Sequence, residues 1–320
     1  MKAILVESFG APEVMQVKEI EQPKPARGEV LIKVKAAGVN PVDTYIRGGA
    51  YPVLPDLPYI PGMDAAGIVE AIGEGVSRFS PGDRVYHAGR HGGCYAELMV
   101  GSEERTYKLP DGISFAHGAS LGVPAAAAWR AMFHRGQAKA GERVLIHGAS
   151  GAAGLTAVQL ARAAGLEVFG TASTDKGLKA VKDSGASAVF DHSKNDYIAD
   201  LKGQLKENGI NLIIEMLANV NLENDLDLLA PRGRVVIVGS RGRIEIDPRA
   251  TMGKETDIRG MSLFNATIEE ANETHAALTG AMKVGAFKPV IAVELPLAEA
   301  PQSHVQVMKS GNCGNIVLVP

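Results

Sequence analysis

Two rhythms of apolar and polar positions divide the chain near residue 114. Before it come short apolar or partly alternating runs: "VLIKVKAAGV" (30–39), "AAGIVEAIG" (65–73), "DRVYHAG" after the turn pair Pro81-Gly82, and "YAELMV" (95–100). Pro and Gly recur between them, which predicts a compact, mostly β domain. Beyond it, the Ala-rich "SFAHGASLGVPAAAAWRAMFHRG" predicts a helix that Pro124 must kink or interrupt. Strand-like runs then alternate with helical stretches: "RVLIH" (143–147), "LEVFGTA" (166–172), "SAVFDH" (187–192), "INLIIEML" (210–217) and "GRVVIVGS" (233–240).

Near-continuous Val/Ile/Leu runs such as "NLIIEML" and "RVVIVG" belong in a parallel sheet covered by helices on both faces. The expected class is therefore α/β, with a β-rich domain and a doubly wound parallel-sheet domain. After residue 260, "EEANETHAALTGAMKVG" predicts one more helix and "GNIVLVP" a final strand. A terminal apolar strand needs a sheet to pair with, so the tail is expected to return to the first domain. The division this predicts is 1–122 with 266–320, and 123–265.

The stretch "GASGAAG" (148–154) lies between a predicted strand and a predicted helix. Set against the dinucleotide fingerprint G-x-G-x-x-G it reads Ala149-Ser150-Gly151-Ala152-Ala153-Gly154, with Ala149 in place of the first glycine. Gly151 falls where the backbone must approach a pyrophosphate, and Gly154 where the helix must pack tightly on the sheet. N–H groups and the positive end of the helix dipole would face the phosphates. A strand before, a helix after and further β-α units beyond set it apart from a plain packing turn.

The choice between NAD and NADP falls at the tip of the second strand, in "GTASTDK". A reader of the ribose 2′-hydroxyl places Asp or Glu there; here the tip is Ser173, followed by Thr174, Asp175 and Lys176. A carboxylate 4 Å from a phosphate would be opposed by roughly 4 kcal/mol at an effective dielectric near 20. A Ser hydroxyl and a Lys ammonium favour the phosphate instead. Asp175 either turns inward against this or lies in the first helical turn. NADPH is the expected cofactor.

Composition narrows the class. The chain has 320 residues, enough for two domains, with 46% hydrophobic and 22% charged residues. No apolar run of about 18 residues predicts a membrane helix, and "MKAILVESFG" reaches Glu7 too soon for a signal-peptide core. The two cysteines, Cys94 and Cys313, make neither a disulfide framework nor a four-thiolate zinc site, so the expected setting is the reducing cytoplasm. A net charge of −3, with both signs mixed along the chain, gives no basic footprint for nucleic acid.

A β-rich first half followed by a dinucleotide domain resembles the medium-chain dehydrogenase/reductase superfamily. Its zinc alcohol dehydrogenases take ligands from a Cys after a "GVN"-like strand end, from a G-H-E motif and from a later Cys or Asp. Here those places hold Asn40 in "GVNPVDTY", Met63 in "PGMDAAG" and no thiol near "LGVPAAAAW". Of His87, His91, His117, His134 and His147, none stands at metal spacing from another ligand type in the sequence. No metal is expected.

The stretches "GVNPVDTYIRGG", "VLIHGASGAAG", "IIEMLANVNL" and "VIVGSRG" resemble the zinc-free quinone oxidoreductases of the zeta-crystallin family, over nearly the whole chain. The resemblance implies a GroES-like catalytic domain, a Rossmann domain, NADPH, quinone reduction, and a homodimer or homotetramer. It implies cofactor contacts from Asn40, Tyr45, Ser150, Gly151, Ala152, Ala153, Ser173, His192, Asn221, Val238, Gly239, Ser240 and Arg241; Lys176 joins them through the phosphate argument. Ala152-Ala153 replaces a more usual Gly-Val with residues that are also small.

Quinone reduction needs a hydride donor, an apolar slot and hydrogen bonds to a developing oxyanion, so positioning can carry it without a metal. Tyr45 and Asn40 are the candidate catalytic residues: one offers a hydroxyl on an apolar ring, the other a donor and an acceptor. Each has a plainer alternative, a packing residue for Tyr45 and a turn residue before Pro41 for Asn40. His192 is either an adenosine contact or a solvated strand end, and Arg241 either a cofactor contact or a surface cation. Two rival functions stay open: reduction of 2-enoyl thioesters or α,β-unsaturated carbonyls, with Tyr45 as proton donor, and an RNA-binding or structural crystallin-like role suggested by the resemblance alone.

Overall fold

The computed structural model describes residues 1–90 and 92–320; His91, one of the histidines weighed above as a ligand, lies outside the described residues. The chain divides into two compact units, Met1–Pro124 with His275–Thr279 and Pro289–Pro320, and Ala125–Thr274 with Gly280–Lys288. The tail thus returns to the first unit, but residues 266–274 and 280–288 group with the second. Buried Arg130 holds Glu270 there.

The first unit carries β1 (Lys2–Val6), β2 (Met15–Glu19), β3 (Glu29–Val39), β4 (Asp64–Ile72), β5 (Arg84–Ala88), β6 (Leu98–Ser102) and β7 (Thr106–Lys108). Its main sheet runs β14-β15-β3-β4-β5-β7, where β14 is Ile291–Pro296 and β15 is Asn315–Val319. The eleven residues of β3 organise it: Ala37–Val39 pair with β15, and Glu29–Lys33 pair with β6. Alternation in β3 turns Ile32 and Val34 into a core with Ile4, Val69, Val85, Met99, Ile316 and Leu318. Helix α1 (Pro41–Arg47) follows β3 directly.

The Ala-rich stretch is broken as its proline requires. It forms α2 (Phe115–Gly118), a wide π-type turn over Leu121–Ala125 holding Pro124, α3 (Ala126–Trp129) and a second π-type turn over Arg130–Arg135. Wider turns accommodate a residue that cannot donate its backbone N–H.

The second unit is a parallel sheet of β8 (Arg143–Ile146), β9 (Glu167–Ala172), β10 (Ala188–Asp191), β11 (Ile210–Glu215), β12 (Leu229–Ile237) and β13 (Asp257–Gly260). Its spatial order is β10-β9-β8-β11-β12-β13, every pair parallel. Helices α4 (Ala152–Ala163), α5 (Asp175–Asp183), α6 (Tyr197–Leu205), α7 (Ala218–Leu228) and α8 (Arg249–Met252) lie between the strands, and α9 (Ile268–Lys283) and α10 (Ala300–Val307) come later in the chain. Chain order reverses between β8 and β11, which is where such sheets open a crevice at the carboxyl ends of their strands. Leu145, Phe169, Ile213 and Val235 form the core beneath.

Leu318 is fully buried between β3 and β14. Leu318→Ala is expected to cost the first unit about 2–5 kcal/mol, and the neighbouring, exposed Val319→Ala under about 1 kcal/mol. Denaturant midpoints of the two variants check the placement of the last strand.

Candidate functional site: the carboxyl edge of the parallel sheet and a buried acid cluster

The glycine stretch forms the turn from β8 to α4. Gly148 takes the left-handed φ of +57°, so the conformational freedom sits one residue before Ala149. A side chain on Gly154 would lie 2.6 Å from the Ala149 Cα and from the Gly148 carbonyl, so only glycine lets α4 begin this close to the turn. Gly151 is the N-cap of α4 and brings no side-chain acceptor to the first turn. A side chain there would meet only the Gly148 carbonyl, at 3.5 Å. The N–H groups of the first turn, with half-buried Ala152 and Ala153, therefore stand at an accessible helix start.

Neighbouring strand ends converge on this turn. The Thr171 hydroxyl accepts from the Gly148 N–H at 3.1 Å, and its carbonyl accepts from Ala149 at 2.7 Å. His192 Nδ1 lies 3.0 Å from the same hydroxyl. Gly177 in the first turn of α5 comes up against the Ser150 side chain. Half-buried Ser173 and exposed Lys176 flank the Thr174 N-cap, whose hydroxyl accepts from Gly177. Asp175 lies in the first turn of α5, which settles the alternative left open for it.

On the other side of the reversal, Glu215 ends β11 fully buried. Its Oε1 accepts from the Leu217 N–H and, at 3.2 Å, from Asn221 Nδ2; its carbonyl accepts from Val238 and Gly239. The Asn221 amide is thus turned toward Glu215. Asn219, which no sequence motif marks, accepts from the Arg241 N–H at 2.7 Å and faces the Ser240 hydroxyl at 3.5 Å.

Beneath these loops lies a group that sequence spacing concealed. His147 Nε2 is 2.8 Å from Asp225 Oδ1 and 3.6 Å from Glu215 Oε2, with all three side chains buried. The expectation that no histidine stands beside another ligand type is corrected here. The three residues are distant in sequence, and the fold joins them by ending β8 and β11 side by side against α7. They are the one group of three such residues among the described residues with ligand atoms within 4.8 Å of one another. The 2.8 Å contact is a hydrogen bond from imidazole to carboxylate. Burial opposes charge on His147, yet Asp225 and Glu215 raise its pKa overall. Burial, opposed by His147 and reinforced by Asp225, pushes Glu215 up to about 7.

The other described histidines have ordinary surroundings. His87 is buried beside the Thr106 hydroxyl and pushed down to about 4 by desolvation. His117 meets Ser114, and His134 meets Glu273 at 3.6 Å.

The first unit has its own buried polar cluster. Asn40 is the N-cap of α1, so the turn role holds; its N–H donates to Asp43 Oδ2 at 2.9 Å. Its side-chain Nδ2 donates to Asp64 Oδ2 at 3.0 Å, and that oxygen also accepts from the Val123 N–H at 3.0 Å. The amide is thereby fixed with its nitrogen toward Asp64, and its oxygen caps the first turn of α1 through the Asp43 N–H. Tyr45 is half-buried one turn along α1. Met63 is buried beside Asp64. Burial pushes Asp64 up to about 8 and Asp43 to about 7, against the lowering effect of their hydrogen bonds. Two carboxyls that hold protons near neutrality make an acid store rather than a pair of fixed anions.

Comparison with known proteins bears on this geometry. Family models for the alcohol dehydrogenase GroES-like domain and for zinc-binding dehydrogenase match residues 26–111 and 152–280. The quinone oxidoreductase of Sus scrofa is 50% identical over all of this chain and 98% of its own. A native mycobacterial protein solved in complex with NADPH superposes with a TM-score of 0.92 at 31% identity, over the whole of both chains. The Escherichia coli quinone oxidoreductase complexed with NADPH gives 0.90 at 29% identity, also over both whole chains.

Two outcomes follow from the geometry. Gly154→Ala must push α4 off its turn and is expected to weaken NADPH binding by at least about tenfold, or 1.4 kcal/mol, read by quenching of protein fluorescence. Asp43 and Asp64 bind protons more tightly folded than unfolded, so they contribute stability below pH 4 that is lost as pH rises through 7 to 8. Thermal unfolding across that range is expected to show a shallower decline in Asp64→Asn.

Proposed function

This chain belongs to the quinone oxidoreductase family, it is an NADPH-dependent quinone reductase, and we propose that Asn40 and Tyr45 orient the quinone while the β8–α4 turn grips the cofactor diphosphate. The observation that carries the proposal is the turn itself: Gly154 brings the start of α4 against Gly148, and Gly151 leaves its N–H groups clear of any capping side chain. The residues fit the cofactor. Ser150, Gly151, Ala152 and Ala153 would hold the diphosphate, Ser173 and Lys176 the 2′-phosphate, and His192 the adenosine. Asn221, Val238, Gly239, Ser240 and Arg241 line the strand ends beyond the sheet reversal. Bound NADPH supplies the hydride.

The chain's own work in the reaction is positioning and proton supply. Asn40, its side-chain nitrogen held by Asp64, keeps a second Nδ2 hydrogen as the group that would donate to a quinone oxygen. Tyr45 offers a phenol to the oxygen that gains charge as the quinone is reduced. The hydroquinone formed has the acidity of a phenol, far above that of an alcohol, so proton delivery demands less of the protein than alcohol formation would. Metal-free chemistry is the consistent reading in the first unit, where Asn40 and Met63 stand at two of the positions that ligate in the zinc enzymes.

A homodimer or homotetramer is part of the same reading, as is a cytoplasmic setting, which the two buried thiols Cys94 and Cys313 support. Among the described residues, no helix is long and apolar enough to cross a membrane.

Steady-state oxidation of NADPH and NADH with a panel of quinones and a crotonyl thioester tests the assignment. NADPH with 9,10-phenanthrenequinone is expected to be the fastest pair; faster turnover of the thioester would move the chain to the enoyl reductases. Tyr45→Phe and Asn40→Ala are expected to lower quinone kcat about 10- to 100-fold, as loss of a positioned transition-state hydrogen bond does. The unfolding midpoint is expected to hold in Tyr45→Phe, while Asn40→Ala, which loses the N-cap of α1, is expected to lose about 1 kcal/mol of stability and still fold. Wild-type turnover in both removes these roles.

A further inference from the structure

We propose that His147, Glu215 and Asp225 form a proton-sharing clamp that positions the two cofactor loops, so that NADPH binding is coupled to retention of the proton that Glu215 and Asp225 share. The inference rests on the reading of the 148–154 turn as the diphosphate cradle.

The geometry ties one cluster to both sides of the sheet reversal. His147 immediately precedes the turn, and its N–H donates to the Ile214 carbonyl at 3.1 Å, next to Glu215. Glu215 fixes the 216–221 segment through Leu217 and Asn221, and the start of 238–241 through its carbonyl. A side chain on Gly239 would lie 2.5 Å from the Met216 carbonyl, so these two loops are themselves in close contact. Asp225 anchors the group from α7.

Two oxygens of the cluster, Glu215 Oε2 and Asp225 Oδ2, are fully buried and meet no N–H or O–H donor. A buried acceptor without a donor costs about 1–3 kcal/mol. One proton carried between the two carboxyls removes that cost. With it the cluster holds an imidazolium, one carboxylate and one carboxylic acid, and is neutral. Without it a net negative charge is buried below a turn that must receive an anionic diphosphate.

Glu215 binds its proton more tightly in the fold than in the unfolded chain, with burial as the largest cause and a midpoint of about 7. The proton is therefore present below neutrality and lost as pH rises. His147 is also raised, so its own deprotonation acts in the same direction. The other titratable groups facing the cluster are His192 at the end of β10 and Tyr197 at the start of α6. Desolvation and the charge on His147 lower His192, and burial with the nearby carboxylates pushes Tyr197 up to about 12. Both are neutral between pH 7 and 9, so Glu215 and His147 carry the response.

The test is direct NADPH titration from pH 6.5 to 8.5 by fluorescence, in wild type and Glu215→Gln. Gln keeps the shape and neutrality of the protonated acid and cannot lose the proton. A bound-state pKa one unit above the free value of about 7 makes the wild-type Kd rise about sixfold over this range, while the variant, in which only His147 still titrates, is expected to rise by at most about twofold. The 2′-phosphate of NADPH titrates identically in both, so the comparison removes it. Parallel pH profiles overturn the proposal alone, and no NADPH binding by wild type at any pH overturns the diphosphate reading with it. Should the variant fail to fold, calorimetry of wild type at pH 7.5 in two buffers of different ionisation enthalpy decides: proton uptake on binding supports the clamp, and none overturns it.

Discussion

The close approach of Gly154 to the backbone of Gly148 and Ala149 fixes where α4 can begin. A helix starting there presents its first N–H groups at the reversal of the parallel sheet, where the strands on either side diverge. Everything else at this edge is arranged to hold the turn in place. Thr171 takes both the Gly148 and Ala149 N–H groups, and α5 brings Gly177 against Ser150. The turn is a rigid object built from hydrogen bonds to its neighbours, although its own residues are small and without strong conformational preference.

Both units solve the same difficulty, the burial of ionisable groups at strand ends, by sharing protons. In the first unit Asp64 begins β4 and Asp43 sits in α1, with Asn40 donating to both. In the second, Glu215 ends β11 and Asp225 sits in α7, with His147 between them. An uncompensated buried carboxylate is too costly to retain, so each pair keeps a proton near neutral pH. Asp64 occupies the last position of the pattern that reads G-H-E in the zinc enzymes, and Met63 and Asn40 replace two ligand types around it. The carboxyl that remains is used to aim an amide.

The sequence revealed features whose cause is local. The β8–α4 turn, the break at Pro124, the strand ends at Ser173 and His192, and the return of the last strand to the first unit all follow from short-range patterning or from the needs of an apolar edge. It concealed two kinds of feature. Strands β1, β2 and β14 carry weak signals; β2 is largely exposed and β14 mostly half-buried, so neither shows the buried alternation by which strands are recognised. The His147–Glu215–Asp225 group was passed over because its members come from separate elements. Glu215 lies inside an apolar run, where a single charged residue reads as an exception. Its burial was the available signal: a glutamate in the middle of "LIIEML", a run expected to be covered on both faces, needs a partner to be tolerated.

The choice of cofactor turns on what Asp175 does, since a carboxylate near the tip of β9 would ordinarily point to the ribose hydroxyl of NAD. Here its position has a sufficient cause of its own. It is the first residue of α5, capped by Thr174, and a negative side chain in a first turn is stabilised by the helix dipole by about 0.3–1 kcal/mol. The tip itself is Ser173, and the next side chain beyond Asp175 is exposed Lys176. Asp175 is explained by its helix, and the side chains beside it at the tip, Ser173 and Lys176, offer a hydroxyl and an ammonium. Both favour a phosphate over a bare hydroxyl, because each can donate to it and neither repels it.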